Sequence, residues 1–300
     1  MNYSLIKKQL EHPLLWAKGG ATITIAMVLI SSFFFSCEEI GPIIDLTGTF
    51  NADTTYVATE VESPQIKNVL LEEFTGVKCV NCPKGHEILD DLESQYTSRF
   101  IAVSVHSKFQ SDPYDNDPDL NNPYADSLET FLGPIPAKPS GSIDRKKFPG
   151  DDLVLLTSKW VNDVNQQMAL STPVNINITV EYIQVTRAAT ATITLHHTSE
   201  DTLDSRLTVM LLEDNITTLQ LDVTGIDSNY VQDRVLRMTL PSTSGMPLNI
   251  TRERGRVIVR SFNINLPDDW KDENLRIIAF VHRSGSSKEV IQVAQEKIKQ

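Results

Sequence analysis

Cysteine is scarce in this chain: its 300 residues contain only Cys37, Cys79 and Cys82. Three cysteines exclude a small fold held together by several disulfides, so each of them needs its own explanation. Basic residues are also in the minority. The formal net charge is −12, and residues 37–300 alone carry −14. A chain this acidic, with no clear basic stripe, is a poor candidate for binding nucleic acid or an anionic membrane surface.

The motifs of several large enzyme classes are absent as well. The sequence has no glycine-rich loop of the kind that cradles phosphate, no catalytic serine triad signature and no zinc-protease signature. It also has no internal repeat and no low-complexity tract. The composition is ordinary for a globular protein, with 40% hydrophobic and 22% charged residues. A length of 300 residues allows one to three domains.

The amino terminus has the pattern of an export signal. Lysines precede an uncharged run over residues 21–36, ATITIAMVLISSFFFS, and Cys37 follows at once. A positive region, an apolar region and a small residue at the cut describe a secretory signal, and the run is somewhat short for a membrane-spanning helix. The alternative is an uncleaved signal anchor. Both interpretations export the rest of the chain.

Small Ser36 directly before Cys37 resembles the lipobox of bacterial lipoproteins, whose signal is cut before a cysteine that then receives lipid. This resemblance implies a signal peptide over residues 1–36 and a fatty-acid anchor, such as palmitate, on Cys37. Glu38 and Glu39 are similar to the acidic tag that sends some Gram-negative lipoproteins to the cell surface. We therefore expect a lipid-anchored protein of the outer membrane, on its periplasmic or its cell-surface side.

Hydrophobic periodicity divides the mature chain into three parts. Residues 37–63 are predicted to be a tether, with one strand within TTYVATEVES. Residues 64–170 alternate strand and helix, the pattern of an α/β layer fold. Residues 171–300 contain about seven strands separated by polar turns, which predicts an antiparallel β-sandwich. The seven runs are PVNINITVEY, ATATITLHH, RLTVMLLE, RVLRMTL, RVIVRSFNINL, LRIIAFVH and EVIQVAQEKI.

Three helices are predicted in the α/β part. The first follows the cysteines, with Pro83 in its first turn, where a missing N–H costs nothing. The second begins with Asn122 as its cap and Pro123 at its first position. The third has apolar residues at helical spacing over residues 153–170.

Cys79 and Cys82 lie between the apolar strand KNVLLEEFTG and the first predicted helix. A thiol reacts as the thiolate, and the backbone dipoles at a helix N-terminus favour that negative charge. The spacing predicts an exposed Cys79 before the helix, with Lys78 beside it, and Cys82 one turn further in. Cys79 would then be the attacking thiolate and Cys82 the resolving thiol. In an oxidising compartment we expect the pair to form a disulfide.

A C-x-x-C pair between a strand and a helix is typical of a thioredoxin-like redox site. Residues 67–98, with the downstream AKPSGSIDR, resemble a thioredoxin-fold domain. The resemblance implies that Pro139 is the cis-proline facing the dithiol, and that Glu73 is the buried acid six residues before the first cysteine. The alternatives are an ordinary turn proline and an acid at a strand end, since Glu72 competes for the inward role. Thioredoxin itself has Trp where this chain has Lys78.

The mature chain as a whole resembles the outer membrane protein 28 family, bacterial lipoproteins with a thioredoxin-like domain followed by a β-sandwich. The matching text is EEFTGVKCVNCP, PSGSIDR, YVQDRVLRMTL and DDWKDENLRIIAFVHRSGSSKEVIQV. The resemblance implies a thioredoxin-like domain over residues 64–170 and an immunoglobulin-like sandwich over residues 171–300. It bears on architecture and location far more than on chemistry.

Two functions are compatible with these features. The first is thiol–disulfide exchange on exported proteins that carry thiols or disulfides, with Cys79, Cys82, Pro139 and Glu73 as the site and no cofactor. The second is binding or adhesion at the cell surface, with surface partners contacting the sandwich and the dithiol left unused. The reactivity of Cys79 separates the two.

A metal site is the main rival interpretation of the cysteines. A closed zinc site needs four ligands, and Cys79, Cys82, His86 and His106 are the only candidates. The thioredoxin pattern already explains the helix start, so we predict no metal there and expect His86 on an exposed helix face. The acidic loop 112–119 alternates aspartates, as calcium loops do, but it lacks the glycine and the glutamate of an EF-hand. A solvated loop is the favoured interpretation.

Overall fold

The structure is a computed structural model that describes residues 53–299. The predicted signal peptide over residues 1–36, the predicted lipidation site Cys37 and most of the predicted tether lie outside this range. None of the helices within residues 53–299 has the length and apolar character that crossing a bilayer requires.

The described part of the chain contains helices α1 (Cys82–Tyr96), α2 (Pro123–Leu132) and α3 (Thr157–Met168). Its strands are β1 (Thr54–Val57), β2 (Val69–Thr75), β3 (Phe100–His106), β4 (Ser140–Ile143), β5 (Leu155–Leu156), β6 (Val174–Ile183), β7 (Ala188–His197), β8 (Ser205–Glu213), β9 (Ile216–Asp222), β10 (Gly225–Gln232), β11 (Val235–Leu240), β12 (Met246–Pro247), β13 (Arg256–Asn265), β14 (Leu275–Arg283) and β15 (Val290–Lys297). Short 3₁₀ helices cover Thr97–Arg99 and Asp272–Asn274.

These strands form three sheets. The largest has the order β15-β14-β8-β11-β3-β2-β4-β5, with β12 beside β8. A second sheet has the order β1-β13-β7-β6, and β9 pairs with β10 in a two-stranded hairpin. β2 and β11 each run parallel to β3, and the other pairings are antiparallel. The chain is therefore mostly β-structure in several largely antiparallel sheets.

Helices cover both faces of the α/β part of the large sheet. Because side chains alternate along a strand, Val69 and Leu71 of β2 face one side and Leu70 and Phe74 face the other. The first pair packs with apolar residues of α1 and α3. The second pair packs with apolar residues of α2. The end of β2 is thus enclosed between helices.

The same large sheet continues into the second half of the chain. Alternate residues of β8 pack in two directions: Val209 and Leu211 face β6, β7 and β13, whereas Met210 and Leu212 share a core with α2. β11 joins β3 directly, with Val235 opposite Ser104. The predicted boundary between residues 170 and 171 lies in the link between α3 and β6, and strands from both sides of it share one sheet.

Most predicted elements are present. Each of the seven runs predicted after residue 171 contains a strand, β6, β7, β8, β11, β13, β14 and β15. The strand predicted within TTYVATEVES is β1, which pairs with β13. Asn122 caps α2 by accepting the N–H groups of Tyr124 and Ala125. The third helix was predicted too long: it begins at Thr157, because the two leucines before it form β5 against β4.

Candidate functional site

The two cysteines lie where β2 gives way to α1. Cys79 and Cys82 form a disulfide, with their Cα atoms 5.4 Å apart. β2 ends at Thr75, a turn follows, and Cys82 is the first residue of α1. Pro83 occupies the first turn of the helix, as predicted. Cys79 therefore precedes the helix and Cys82 opens it.

Both cysteines are buried: Cys79 is 1% exposed and Cys82 is fully enclosed. The expectation of an exposed Cys79 is wrong. A hairpin made of β9 and β10, which the sequence did not predict, lies against the dithiol loop, which we define as residues 76–79. The cover comes from the second half of the chain, more than 130 residues after the cysteines.

The hairpin binds the backbone of the dithiol loop. The side-chain amide of Gln220 donates to the carbonyl oxygens of Gly76 at 3.3 Å and Cys79 at 3.2 Å. The main-chain N–H of Leu221 donates to the carbonyl oxygen of Val77 at 2.8 Å. These contacts hold the loop through its main-chain carbonyl oxygens. Because every residue has a main-chain carbonyl, the identities of the loop's side chains could not predict them.

Apolar and acidic groups support the hairpin at its base. Val77 packs in a small buried cluster with Leu120, Ile216 and Val235. The acidic loop 112–119 also contributes, since the carboxylate of Asp117 accepts the N–H of Leu219 at 2.6 Å. Lys78, expected to act on the Cys79 sulfur, has its ammonium 5.4 Å from the ring centroid of Tyr114.

Glu73 is fully buried on the side of β2 that faces α1. Its Oε2 lies 3.4 Å from the His86 Nε2 and accepts a hydrogen bond from the Ser104 hydroxyl at 3.4 Å. Its Oε1 has no hydrogen-bond partner. Burial raises the pKa of Glu73 to about 8, although the nearby positive charge of Arg234 acts in the opposite direction. At neutral pH this carboxyl group holds its proton.

Gly85 brings the predicted site residues together. A Cβ atom at this position would lie 2.7 Å from the Glu73 Oε1 and 2.9 Å from the Pro139 Cβ, closer than real Cβ atoms approach. Only glycine allows α1 to approach both groups, one helical turn after Cys82. The Lys138–Pro139 peptide bond is cis. The acid, the cis-proline and the helix that begins at the disulfide thus meet at one point.

Two histidines lie in the same buried region. His86 is 7% exposed, so the expectation that it lies on an exposed helix face is wrong. It is on the face of α1 turned to the sheet, four residues after Cys82. Its Nε2 lies 3.0 Å from the Thr75 hydroxyl and its Nδ1 lies 2.6 Å from the Tyr230 hydroxyl. Burial lowers the pKa of His86, and that of His106, to about 3, so both rings are neutral.

Glu72 does not compete with Glu73 for the inward position, because it faces the opposite side of β2. Its carboxylate accepts two hydrogen bonds from the Arg145 guanidinium, at 2.9 and 2.7 Å. Both side chains are fully buried. Within residues 53–299 no three His, Cys, Asp or Glu side chains are arranged to hold a metal ion.

A groove opens beside the site. It has a volume of about 420 Å³ and is lined by residues of the α1 start, the Pro139 loop and the α3 start: Asn81, Lys84, Gly85, Ala137, Lys138, Pro139, Leu156, Thr157 and Ser158. Neither cysteine is among these residues. The groove therefore reaches the cis-proline without exposing the disulfide.

The sequence did not identify the hairpin residues Gln220 and Tyr230 or the α1 partner Arg234 as part of this region. Arg234 Nη1 donates to carboxylates of α1, at 2.7 Å to Asp90 and 2.8 Å to Glu93. The only signal was indirect: YVQDRVLRMTL, the stretch that begins at Tyr230, is one of the segments that resemble the family.

Comparison with known proteins gives a family and similar folds. The model of the family described as outer membrane protein Omp28 matches residues 135–300. HBP35 of Porphyromonas gingivalis is 22% identical, with a TM-score of 0.63 over 80% of this chain and 77% of that chain. A protein of Agrobacterium tumefaciens is 10% identical, with a TM-score of 0.52 over 79% of this chain and 97% of its own. No curated protein sequence matches this chain. At these identities the two structures indicate a common fold only.

Proposed function

Given that this chain belongs to the outer membrane protein Omp28 family and is located at the outer membrane, we propose that it exchanges disulfides with exported proteins through a thioredoxin-like site. We further propose that lipid on Cys37 anchors it there. The family assignment and the outer-membrane location agree with what the sequence predicted. The chemistry is our proposal, and it rests on the geometry around the cysteines.

The topology of the α/β half supports a thioredoxin-like assignment. The sheet order β3-β2-β4-β5, with β3 parallel to β2 and β4 and β5 antiparallel to their neighbours, is the order expected of a thioredoxin-like domain. Helices on both faces and a cis-proline directly before β4 fit the same fold. The packing of β6, β7 and β13 against β8 and β14 supports an immunoglobulin-like sandwich for the second half.

The observation that carries the proposal is a buried, neutral acid packed against the helix that begins at a disulfide. Thiol exchange needs a thiolate that is stabilised and a group that trades a proton with it. The N-terminus of α1 supplies the first, and no acidic side chain in its first turn opposes it. Glu73, with a pKa of about 8, supplies the second near neutral pH.

The proposed reaction transfers two electrons from a partner dithiol to the Cys79–Cys82 disulfide. A partner thiolate attacks the Cys79 sulfur, forms a mixed disulfide and releases Cys82 as a thiolate. Glu73 gives its proton to that thiolate. The partner's second thiolate then attacks the partner's first sulfur, the one bonded to Cys79, and releases Cys79 as a thiolate. The partner leaves as a disulfide, and this protein holds two reduced cysteines. The reverse sequence reduces a partner disulfide.

The groove beside Pro139 offers room for the partner's polypeptide. The cis-proline and Gly85 line it together with Leu156, which is half exposed. An extended segment bound there would contact Pro139 and Asn81, the residue directly before Cys82.

The test is trapping. In a Cys82→Ser protein, a mixed disulfide formed through Cys79 is not resolved. We expect this variant to accumulate disulfide-linked exported proteins, visible as adducts that reductant removes. Cys79→Ser is the matched control, because it lacks the proposed attacking thiol and the remaining Cys82, which is fully enclosed, should trap nothing. In glutathione buffers the wild-type disulfide should show a reduction potential above about −300 mV. A lower potential together with no adducts would refute the proposal.

The burial of both cysteines favours a second candidate, a surface binding protein whose disulfide only stabilises the fold. In that case Cys82→Ser and Cys79→Ser should behave alike. Both should lose stability, and neither should form adducts.

A further inference from the structure

We propose that the β9–β10 hairpin, residues 216–232, is a gate on the dithiol, shut in this structure, and that Gln220 and Tyr230 are the residues that hold it shut. The inference rests on the proposed function for its purpose. The gating itself is a property of the oxidised protein that can be measured without a partner protein.

A partner thiolate has no access to the disulfide in this structure. A thiolate must reach a sulfur of the disulfide to exchange with it, and here Cys79 is 1% exposed. The groove beside Pro139 does not open the way, since neither cysteine lines it. The hairpin is bound directly to the carbonyl oxygens of the dithiol loop, including that of Cys79. For exchange to occur this loop must be uncovered, and the hairpin is the element that lies on it.

The hairpin can move independently of the larger sheets. Within the described residues β9 and β10 pair with each other and with no other sheet. A two-stranded hairpin by itself is marginally stable. β10 is exposed over residues 225–229. The hairpin can therefore leave its position without breaking either of the larger sheets.

The links at its base have the form of a hinge. Two residues connect β8 to β9 and two connect β10 to β11. One residue in each link, Asn215 and Arg234, has a positive φ, 58° and 63°. The links are tied to each other, because the Asn215 N–H donates to Asp233 Oδ1 at 2.8 Å and the Arg234 N–H donates to Asp214 Oδ1 at 2.7 Å. The base is fixed, and the rest of the hairpin is attached to its surroundings through hydrogen bonds of Leu219, Gln220, Leu221 and Tyr230.

The attachments of the hairpin are hydrogen bonds, which water can replace when the hairpin leaves. The Gln220 amide is itself oriented by Gln232, whose side chain donates to the Gln220 Oε1 at 2.9 Å. Tyr230 holds the outer strand through the His86 ring at 2.6 Å. Breaking one hydrogen bond of this kind shifts an equilibrium by about three- to tenfold. The shut state is therefore favoured, but single substitutions should open it measurably.

The Tyr230 contact also connects the gate to the buried acid. His86 lies between the Tyr230 hydroxyl and the Glu73 carboxyl, with Nδ1 toward one and Nε2 toward the other. When the hairpin leaves, water gains a path to His86 and Glu73. Opening would thus expose the sulfur and hydrate its proton donor in one movement.

The experiment measures how fast dithiothreitol reduces the Cys79–Cys82 disulfide in the oxidised full-length protein. Released thiols are alkylated, and the peptide carrying both cysteines is quantified by mass spectrometry, which keeps Cys37 out of the signal. We expect Gln220→Ala to be reduced about tenfold faster than wild type and Tyr230→Phe about threefold faster. The matched controls are Gln184→Ala in the β6–β7 turn and Tyr56→Phe on β1, both exposed. They should react within twofold of wild type.

A second measurement separates gating from general loosening. Native-state hydrogen exchange should show the Leu221 amide, which is bound to Val77, exchanging faster in Gln220→Ala, while amides of β14 exchange as in wild type. Reduction of wild type at the rate of an exposed peptide disulfide, or equal rates for wild type and both hairpin variants, would overturn the gate. Faster reduction without trapped partners in Cys82→Ser would keep the gate and reject disulfide exchange.

Discussion

Glu72 and Glu73 are consecutive residues of β2 and both are fully buried. Their side chains lie on opposite faces of the strand and have different hydrogen-bond partners. On the α2 side, Glu72 accepts two hydrogen bonds from Arg145, whose guanidinium also lies 4.7 Å from the Phe280 ring centroid. On the α1 side, Glu73 leaves Oε1 without a partner. Burial raises its pKa to about 8, because an uncompensated buried charge is costly.

The difference separates two uses of a buried acid. A carboxylate that accepts two hydrogen bonds from a buried arginine is held in that contact, so its role is structural. A carboxyl group held neutral by burial, packed against the helix that begins at a disulfide, can give up its proton when charge develops nearby. One strand thus carries a structural acid on one face and the candidate proton donor on the other.

The largest effect is expected on the α2 side. Arg145→Met should lower the free energy of unfolding by about 3–5 kcal/mol, because it leaves the Glu72 carboxylate buried without a counter-charge. Urea unfolding at neutral pH measures the loss. The double variant with Glu72→Leu should recover much of it, since no buried charge then remains. A double variant as unstable as Arg145→Met alone would contradict the matched-pair interpretation.

On the α1 side, Glu73 should make stability depend on pH. Its pKa is about 8 in the folded protein and near 4.5 when unfolded, so the stability from its bound proton is full below pH 4.5. That stability is lost as the pH rises through 8. Between these limits wild type should lose about 1.4 kcal/mol per pH unit relative to Glu73→Gln. Urea unfolding at pH 5 and pH 7.5 should give a difference that changes by about 3 kcal/mol.

The charged and titratable groups around Glu73 belong to several elements: Arg234, Asp90 on α1, Lys138 before β4, and His86. Comparing wild type with a variant that differs only in Glu73 cancels their own titrations to first order. Equal pH slopes for the two proteins would mean that Glu73 is ionised in the fold, and the contrast with Glu72 would disappear.

A substitution at Gly85 tests how closely α1 packs against Glu73 and Pro139. Gly85→Ala should cost about 1–3 kcal/mol despite the better helix propensity of alanine, because the new Cβ would meet the Glu73 Oε1 and the Pro139 Cβ. The matched control is Lys84→Ala, on the exposed face of the same turn. Differential scanning calorimetry should show a lower Tm for the glycine variant only. A Gly85→Ala protein as stable as wild type would show that the acid has room to move.

The elements that the sequence predicted correctly are those with local causes. The strand before the cysteines, the cap at Asn122 and the alternating runs after residue 171 each carry their signal within a few residues. The start of α3 was missed because Leu155 and Leu156 fit a helix by spacing but pair with β4 in the fold. That choice depends on a neighbouring strand, which periodicity does not contain.

The hairpin and the burial of the site had no such signal. β9 and β10 read ITTLQLD and GIDSNYVQ, polar stretches that look like loop. They are strands because they pair with each other and lie on the dithiol loop from a distant part of the sequence. His86 and Cys79 were expected at the surface for the same reason. The hairpin that completes their burial is more than 130 residues away, and no spacing around the cysteines indicates it.

The smallest effect on the free energy of unfolding is expected at the starts of the two helices that flank β2, α1 and α2. Asn122 caps α2 with two hydrogen bonds, at 3.1 Å to the Tyr124 N–H and 3.0 Å to that of Ala125, whereas Asn81 precedes α1 without capping it. Asn122→Ala should therefore cost about 1 kcal/mol, and Asn81→Ala should cost close to nothing. Urea unfolding of the two variants side by side measures the difference. Backbone contacts close the first turn of α1 instead, with the Cys82 N–H donating to the Cys79 carbonyl oxygen at 3.1 Å and the Lys84 N–H to that of Asn81 at 3.2 Å. An equal loss in both variants would mean that the Asn81 side chain also caps α1 in solution, and the contrast between the two helix starts would disappear.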